Sequence, residues 1–325
     1  MHIIVTGGAG YIGSRLTAHL LGLGHQVTVI DRLDYGGEGL LGHLDNERFT
    51  FLLADLRYPI ISADSLRTIR QADLIIHLAA IVGEDACLAA PSDATDTNIV
   101  GTEALLNLSI PVVFISTCSN YGRSEGFATE ETPVNPLGLY AETKIAAEKL
   151  TLDAGGTVIR LATICGASPR MRFDLLVNDM ARRMVEDEPI TIYNPEAWRP
   201  FLHIADACHA IGLIAGASME HHAPLPVPGS VWNVVGENIT KGVLGKMACD
   251  RAPRAADHPV DGPRVQISSS NQGADDPRDY RVSDEKFRST YLWGRRLTVA
   301  DALREVRQAV TLLPETQRRI YRNVA

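Results

Sequence analysis

The chain has 325 residues, of which 45% are apolar, and its formal net charge is −8 at pH 7. This length and composition suffice for one large or two coupled globular domains, and the acidic balance, with no basic cluster, argues against a nucleic-acid partner. No run approaches the roughly 18 consecutive apolar residues of a membrane helix, so we expect no membrane contact and a cytoplasmic location.

Short apolar runs alternate with helical patterns in the first half of the chain. The runs are HIIVT, QVTVID, FTFLLAD, ADLIIHLA, PVVFIST and TVIRLATI, at residues 2–6, 26–31, 49–55, 72–79, 111–117 and 157–164. The segments between them are long enough for crossover helices, and this alternation is typical of a doubly wound parallel sheet. The sequence therefore predicts an α/β fold with a Rossmann domain over residues 1–165, to which a segment at about 199–235 returns.

The pattern changes after residue 166. A helical stretch at 175–186 and strand-like pieces at 189–193, 201–204 and 231–235 precede a region rich in Pro, Gly and Ser at 252–277. The segment 298–312 has apolar residues at helical spacing and is predicted to pack on the smaller domain. We expect that domain, a mixed α/β substrate-binding unit, to comprise residues 166–198 and 236–325.

The histidines and cysteines do not form a recognisable metal site. His221 and His222 are neighbours in a proline-containing segment, which is more typical of a surface loop than of metal ligation. The five cysteines are odd in number and lack the spacing of a zinc site or a disulfide framework. We therefore predict no metal, and cysteines that are reduced.

A glycine-rich turn joins the first strand to the first helix. Gly7, Gly10 and Gly13 would let the chain turn tightly and bring backbone N–H groups against a pyrophosphate at the positive end of the helix. Tyr11 and Ile12 complete this turn. Such a turn by itself also fits a plain strand-to-helix connection.

The ends of the next strands suggest how a dinucleotide would be held. Asp31 ends the second strand, where a carboxylate accepts hydrogen bonds from the adenosine ribose and repels a 2′-phosphate; this favours NAD over NADP, although Arg32 follows directly. Asp55 either holds the adenine or caps the next turn. Small residues after the fourth strand suit a close cofactor or simple packing. The predicted cofactor-binding residues of the strand ends are Asp31, Asp55, Leu56, Ala79 and Ala80.

A tyrosine and a lysine share one face of the helix predicted at 139–154. Tyr140 and Lys144 are four residues apart. A phenol has a pKa of about 10, so a tyrosine that transfers protons near neutrality needs a neighbouring positive charge, such as the Lys144 ammonium, which could also bond the nicotinamide ribose. Thr117 ends the fifth strand and would emerge at the same edge of the sheet. Without that context, the pair on the helix could equally be an exposed pair.

These motifs together resemble those of the extended short-chain dehydrogenase/reductases. The similarity is carried by TGGAGYIG, Asp31, HLAA at 77–80, NIVGT at 98–102, STCSNYG at 116–122 and YAETK at 140–144. It continues through WRPFLH at 198–203 and DPRDYRVSDEKF at 276–287, so it spans nearly the whole chain. The nearest branch is the NAD-dependent nucleotide-sugar epimerases and dehydratases.

The resemblance implies roles for several further residues. Arg199 and Arg278 would clamp the diphosphate of a nucleoside-diphosphate sugar, a role that suits guanidinium groups, although either could instead form a surface salt bridge. Asn178 would contact the same diphosphate on a looser match, and Asn98 would support the active-site backbone beside the cofactor. The resemblance also implies a homodimer formed through the helix that carries Tyr140.

The sequence departs from the family at the two positions after Thr117. Family members that dehydrate sugars carry Asp and Glu there, and the decarboxylases keep the Glu, whereas this chain has Cys118 and Ser119. The 3,5-epimerases place a cysteine one position later, so Cys118 is expected to be a buried packing thiol. The remaining chemistry is an NAD-dependent epimerase that oxidises a sugar carbon, expected to be C4, to a ketone and reduces it again with bound NADH. The alternatives are an NAD(P)-dependent nucleotide-sugar reductase or dehydrogenase, and a non-catalytic dinucleotide-binding scaffold.

Overall fold

The computed structural model describes residues 1–58, 63–216, 228–250, 265–268, 278–321 and 323. His221, His222 and most of the region 252–277 lie outside these residues. The described strands are β1 (His2–Thr6), β2 (Gln26–Asp31), β3 (Phe49–Leu53), β4 (Leu74–His77), β5 (Val112–Thr117), β6 (Arg123–Ala128), β7 (Thr157–Leu161), β8 (Thr163–Cys165), β9 (Ile190–Tyr193), β10 (Trp198–His203), β11 (Val231–Val234), β12 (Glu237–Thr240), β13 (Val265–Ser268) and β14 (Asp279–Val282).

The described helices surround and connect these strands. They are α1 (Tyr11–Gly22), α2 (Ala63–Arg70), α3 (Glu84–Ala89), α4 (Pro91–Thr95), α5 (Gly101–Leu106), α6 (Leu139–Asp153), α7 (Leu176–Glu186), α8 (Ile204–Ile214), α9 (Lys241–Asp250), α10 (Glu285–Tyr291), α11 (Val299–Leu312) and α12 (Glu315–Ile320). A π-helical turn, Asp96–Val100, joins α4 to α5, and 3₁₀ turns lie at Glu38–His43 and Cys118–Tyr121.

Seven strands form the central parallel sheet. Their order is β11-β7-β5-β4-β1-β2-β3, so the direction of winding reverses between β1 and β4. The strands are parallel throughout this sheet, and the predicted Rossmann sheet is therefore confirmed. Helices α1 and α8 cover one face, while α5 and α6 pack on the other. In such folds ligands bind at the carboxyl ends of the strands, where the winding reverses.

The apolar run at 157–164 is divided between two strands, β7 and β8, that lie in different sheets. The Ala162 N–H still bonds to Val234 O (3.0 Å), but the chain then leaves the central sheet. Strand β8 pairs instead with β10, which pairs with β12 in a second, mixed sheet. The chain therefore changes sheets within a continuous apolar run, because both halves of the run are buried and periodicity does not distinguish their partners.

A second core lies beneath this mixed sheet. Helix α11 buries Leu303, Val306 and Val310 there, together with Met180 and Met184 of α7. Thr298 and Asp301 form a reciprocal capping box at the start of α11. The predicted packing of this helix is confirmed, and the domain boundaries remain a prediction.

The described residues show no helix long and apolar enough to cross a bilayer. Cys87, Cys118, Cys165 and Cys208 are buried free thiols.

Candidate active site

The glycine turn closes against the neighbouring strands. Gly7 has φ of +71° and its N–H donates to Ile30 O at the end of β2 (2.9 Å). A Cβ on Gly7 would lie 2.7 Å from the Ala79 nitrogen, and one on Gly13 would lie 2.1 Å from Gly7 O. Both positions therefore exclude any side chain, and α1 begins directly after the turn with its N–H groups facing the sheet edge.

A cleft opens in front of this turn, at the reversal between β1 and β4. Its lining includes ten of the predicted cofactor residues: Gly7, Gly10, Tyr11, Ile12, Gly13, Asp31, Asp55, Leu56, Ala79 and Ala80. The glycine turn leaves no space for side chains, and a carboxylate lies at the end of β2. This arrangement fits a dinucleotide, with the pyrophosphate at the helix N-terminus and a ribose at Asp31.

Asp31 is held in place by backbone groups. Its carboxylate accepts from Ala9 N (3.0 Å) and Leu33 N (2.8 Å), and burial raises its pKa while these two bonds oppose the shift. The Arg32 side chain is engaged by Asp34 (2.5 Å) and lies 3.4 Å from Asp55. The guanidinium that raised the possibility of NADP is therefore paired with carboxylates.

The Asp31→Asn variant is expected to bind NAD about 10-fold more weakly, because it loses the charge on a hydrogen-bonded ribose contact. NADP binding should change less, since the repulsion of its phosphate is also removed. Calorimetric titration with both dinucleotides checks the ratio, with the exposed Asp45→Asn as a control. An unchanged ratio of the two dissociation constants would contradict the role of Asp31.

Asp55 serves the turn that follows β3. Its carboxylate accepts from Arg57 N (3.0 Å) and pairs with the Arg57 guanidinium (2.6 Å), which lowers the Asp55 pKa to about 2. The side chain therefore caps the turn, one of the two predicted alternatives, while it also lines the cleft. Its contact with adenine remains a prediction.

Two arginines that the sequence analysis did not single out also line the cleft. Arg170 lies with its guanidinium 4.4 Å from the Tyr35 ring, and burial together with the charge of Arg172 lowers its pKa to about 10. Arg172 is paired with Asp174. The spacing of the two in SPRMRF could have suggested a shared site, but nothing in the sequence places that segment at the cleft.

Thr117 ends β5 as predicted. Its hydroxyl donates to Ser119 Oγ (3.0 Å) and accepts from Ser119 N (3.1 Å). Ser119 Oγ also accepts from Arg278 (3.3 Å), and the Tyr280 phenol is hydrogen-bonded to the same serine. Ser119 and Tyr280, which the sequence analysis left without a role, thus connect Thr117 to β14, the strand that pairs with β6.

Lys144 is buried deep in the site, with 3% of its surface exposed. Its Nζ donates to Ile115 O (2.7 Å) and lies 4.0 Å from the Phe114 ring centroid. Burial lowers the pKa of Lys144 to about 7. The ammonium is therefore poised to exchange a proton near neutrality, which the sequence could not indicate.

This pKa predicts a pH-dependent stability. Between pH 7 and about 10.5 the unfolded chain binds a proton at Lys144 that the folded chain does not, so unfolding free energy should rise with pH, by up to about 1.4 kcal/mol per pH unit. The Lys144→Met variant should lose this contribution. Urea denaturation of both proteins, freed of cofactor, at pH 7, 8 and 9 measures the difference. If the unfolding free energies of the two proteins changed in parallel with pH, the predicted contribution of Lys144 would be contradicted.

Tyr140 is the second residue of α6 and is half-buried. Among the described residues its hydrogen bonds are made by the backbone, with Glu84 and Thr143, so the phenol is left for a ligand. Burial raises the pKa of Tyr140, and the guanidinium groups of Arg172 and Arg278 oppose that shift. The cations that lower the pKa of this phenol are thus arginines of the second half of the chain, whereas the sequence analysis expected the Lys144 ammonium in this role.

The three residues predicted to bind diphosphate differ in the partners that they contact. Arg278 reaches Ser119, and buried Arg199 donates to Trp198 O (2.7 Å) with its guanidinium 5.9 Å from the Tyr280 ring. Asn178 is fully buried and donates to Tyr11 Oη (3.0 Å) and Arg172 O (3.0 Å). Its amide is thus used inside the protein, and a contact with substrate diphosphate stays an untested prediction.

Asn98 lies in the π-helical turn between α4 and α5. Its amide accepts from Ile81 N (2.8 Å) and donates to Ile81 O (3.1 Å) and to Thr143 Oγ1 (3.0 Å). It therefore ties the loop after β4 to α6, in keeping with the supporting role expected of it. Cys118 is fully buried and its thiol contacts Arg160 O (3.3 Å), so the expected packing role of this thiol is confirmed.

A parallel sheet in this order, with a glycine turn at its reversal point and a Tyr and Lys one helical turn apart beside it, defines a dinucleotide-dependent enzyme of the short-chain dehydrogenase/reductase type. Comparison with known proteins agrees. Residues 3–233 match the model of the NAD dependent epimerase/dehydratase family. The chain belongs to this family, and NAD is its cofactor.

The relatives carry several activities. UDP-glucuronic acid decarboxylase 1 of Arabidopsis thaliana is 31% identical over 323 residues, which cover 93% of this chain and 68% of that one. UDP-glucose 4-epimerase of Halalkalibacterium halodurans is 37% identical over 158 residues, 46% and 45% of the two chains. These relatives belong to one family but catalyse different reactions.

Solved structures share the fold. The dTDP-glucose 4,6-dehydratase of Bacillus anthracis, solved with NAD, superimposes with a TM-score of 0.79 at 23% identity, covering 98% of this chain and 99% of that one. The UDP-glucuronic acid 4-epimerase of Bacillus cereus, solved with UDP-glucuronic acid and NAD, gives 0.78 at 23% identity, covering 97% and 100%.

Proposed function

We propose that this protein is an NAD-dependent nucleotide-sugar epimerase that inverts a hydroxyl-bearing carbon of the sugar, C4. The observation that carries the proposal is the chemistry beside Thr117. The two positions that hold carboxylates in dehydratases offer here a buried thiol, on Cys118, and a hydroxyl, on Ser119. Removal of water from a sugar needs an additional acid and base, whereas inversion through a ketone needs none beyond the group that moves the hydroxyl proton.

Two nearby carboxylates that could substitute are otherwise engaged. Glu148 forms a buried ion pair with Arg160 (2.7 Å), and Glu84 accepts hydrogen bonds from the first turn of α6. Relatives named UDP-glucose 4-epimerase and UDP-glucuronic acid 4-epimerase support C4 as the carbon.

Each side chain of the site has a proposed part. Tyr140 takes the proton of the sugar hydroxyl and later returns it, and the charges of Arg172 and Arg278 favour its phenolate. Thr117 is proposed to donate a hydrogen bond to the oxygen of the same sugar hydroxyl, using the proton that it donates to Ser119 Oγ in this structure. Lys144 would hold the nicotinamide ribose. Bound NAD would supply a reversible two-electron acceptor for the sugar carbon, and return of the hydrogen to the opposite face of the ketone gives the epimer.

The substrate is proposed to be a nucleoside-diphosphate sugar. Arg199 and Arg278 both lie near Tyr280, where their guanidinium groups would meet the diphosphate. Arg170 and Arg172 line the same cleft as the glycine turn and are proposed to bind the dinucleotide.

Mass spectrometry of ligands released from the purified protein, followed by turnover assays with nucleotide sugars, tests this function. We expect stoichiometric NAD and conversion of one sugar into its epimer without added dinucleotide. A strict requirement for external NAD or NADH would instead indicate a reductase or dehydrogenase. Binding of NAD without turnover of any nucleotide sugar would favour a scaffold.

We also propose a homodimer formed through α6 and its neighbours α3 and α5. Leu88 is 59% exposed and Val100 is 43% exposed on the elements that pack beside α6, so association there would remove apolar surface from water. Light scattering on the purified protein measures its molar mass and therefore the number of chains in the assembly.

A further inference from the structure

Glu84 reaches across the site to the start of the helix that carries Tyr140. It is the first residue of α3, directly after the loop that follows β4, and its two carboxylate oxygens accept from Leu139 N (2.9 Å) and Tyr140 N (3.1 Å). The first N–H groups of a helix have no partner within the helix and need one from elsewhere. Here the partner comes from a residue more than fifty positions away in the chain.

Gly138 makes room for this contact. It is the residue before α6 and has no side chain with which to cap the helix. A Cβ at this position would lie 2.4 Å from the Glu84 carboxylate. The carboxylate thus occupies the space in which an ordinary capping side chain would begin.

The other side of the Tyr140 backbone is held from the same region. Tyr140 O accepts from Thr143 Oγ1 (2.9 Å), and Thr143 Oγ1 accepts from Asn98, which also bonds both backbone groups of Ile81. Ile81 and Val82 line the cofactor cleft. The loop from 81 to 84 is therefore connected to the N–H of Tyr140 through Glu84 and to its carbonyl through Asn98.

We propose that Glu84 is a positioning residue that sets the place of the Tyr140 phenol relative to the cofactor cleft. The proposal rests on the catalytic role of Tyr140 proposed above. The carboxylate would then do more than cap a helix. Because Glu84 directly follows the loop whose residues Ile81 and Val82 line the cleft, its contact would fix the distance between that loop and the phenol. A displacement of about 1 Å in a reacting group can cost about 100-fold in rate.

Three variants separate positioning from capping. Glu84→Ala removes the contact. Glu84→Gln keeps one acceptor oxygen. The double variant Glu84→Ala with Gly138→Ser puts a hydroxyl into the vacated space, where it can cap α6 locally without any connection to the loop. Gly138 has φ of 163°, which a serine also adopts.

We expect Glu84→Ala to lower kcat by about 10- to 100-fold, with KM and NAD affinity near those of the wild type, and to lower Tm by about 2–4 °C. Glu84→Gln should lie between this variant and the wild type. The double variant should recover Tm and the amide protection of Tyr140, but not the protection of Leu139 or kcat. Recovery of both Tm and kcat, or an unchanged kcat in Glu84→Ala, would overturn the proposal.

Failure of the proposed function would look different. In that case the wild type itself would not convert nucleotide sugars, or Tyr140→Phe would remain active. An active wild type and an inactive Tyr140→Phe, together with a fully active Glu84→Ala, would refute only the role of Glu84. Amide hydrogen exchange at Leu139 and Tyr140 reports the contact in either case, since it does not depend on turnover.

Discussion

Replacement of Tyr140 by phenylalanine is expected to lower kcat by about 10³-fold while leaving NAD affinity nearly unchanged. The hydroxyl is the atom proposed to move the proton, whereas the ring and the backbone bonds to Glu84 and Thr143 are retained in the variant. Stopped assays of epimer formation at saturating nucleotide sugar give kcat, and calorimetric titration gives NAD affinity.

Tyr291→Phe provides the matched control. Tyr291 is a buried tyrosine, and its hydroxyl has no hydrogen-bond partner among the described residues. Loss of that hydroxyl should leave kcat unchanged. Similar turnover in the two variants would mean that Tyr140 does not transfer the proton.

Substitution of Gly13 by alanine is expected to weaken NAD binding by about 100-fold or more. The added Cβ would lie 2.1 Å from Gly7 O and 2.6 Å from Gly8 Cα, so two backbone segments must separate. The N–H groups that face the pyrophosphate would then lose their common direction. Fluorescence titration with NAD measures the affinity, and thermal unfolding shows whether the variant is folded.

Variants of two other glycines show whether the loss of NAD affinity depends on the space available for a Cβ. A Cβ on Gly10 would lie 3.2 Å from Gly7 O, so Gly10→Ala should show a smaller loss of affinity. Gly22 ends the same helix, and a Cβ there has nothing within 4 Å. Gly22→Ala should bind NAD as the wild type does and gain stability of up to about 1 kcal/mol. Equal NAD affinity in all three variants would contradict a phosphate-binding turn.

The features that could be read from the sequence are those encoded by local spacing. The buried run of β1, the glycines after it and the helix that follows are consecutive, so one pattern determines all three. Asp31 and Thr117 were placed because parallel strands bring their carboxyl ends to one edge, and the observed strand order does so. Tyr140 and Lys144 share a helix, whose period fixes their relative direction.

The charge states of the site side chains depend on their burial, and the sequence gives no information about burial. Lys144 has its pKa lowered to about 7 because the side chain is enclosed next to Phe114, and the pKa of Tyr140 is raised by the same cause. The spacing of the pair gives no information about the solvent each side chain loses.

The sequence by itself thus determined the family, the cofactor turn and the helix of the proposed catalytic pair. Only the tertiary structure decided that β8 leaves the central sheet, that Arg172 and Arg278 act on the Tyr140 phenol, and that Glu84 holds the start of α6. These contacts join residues far apart in the chain. Local periodicity carries no information about such pairs, because they are set by how whole elements pack.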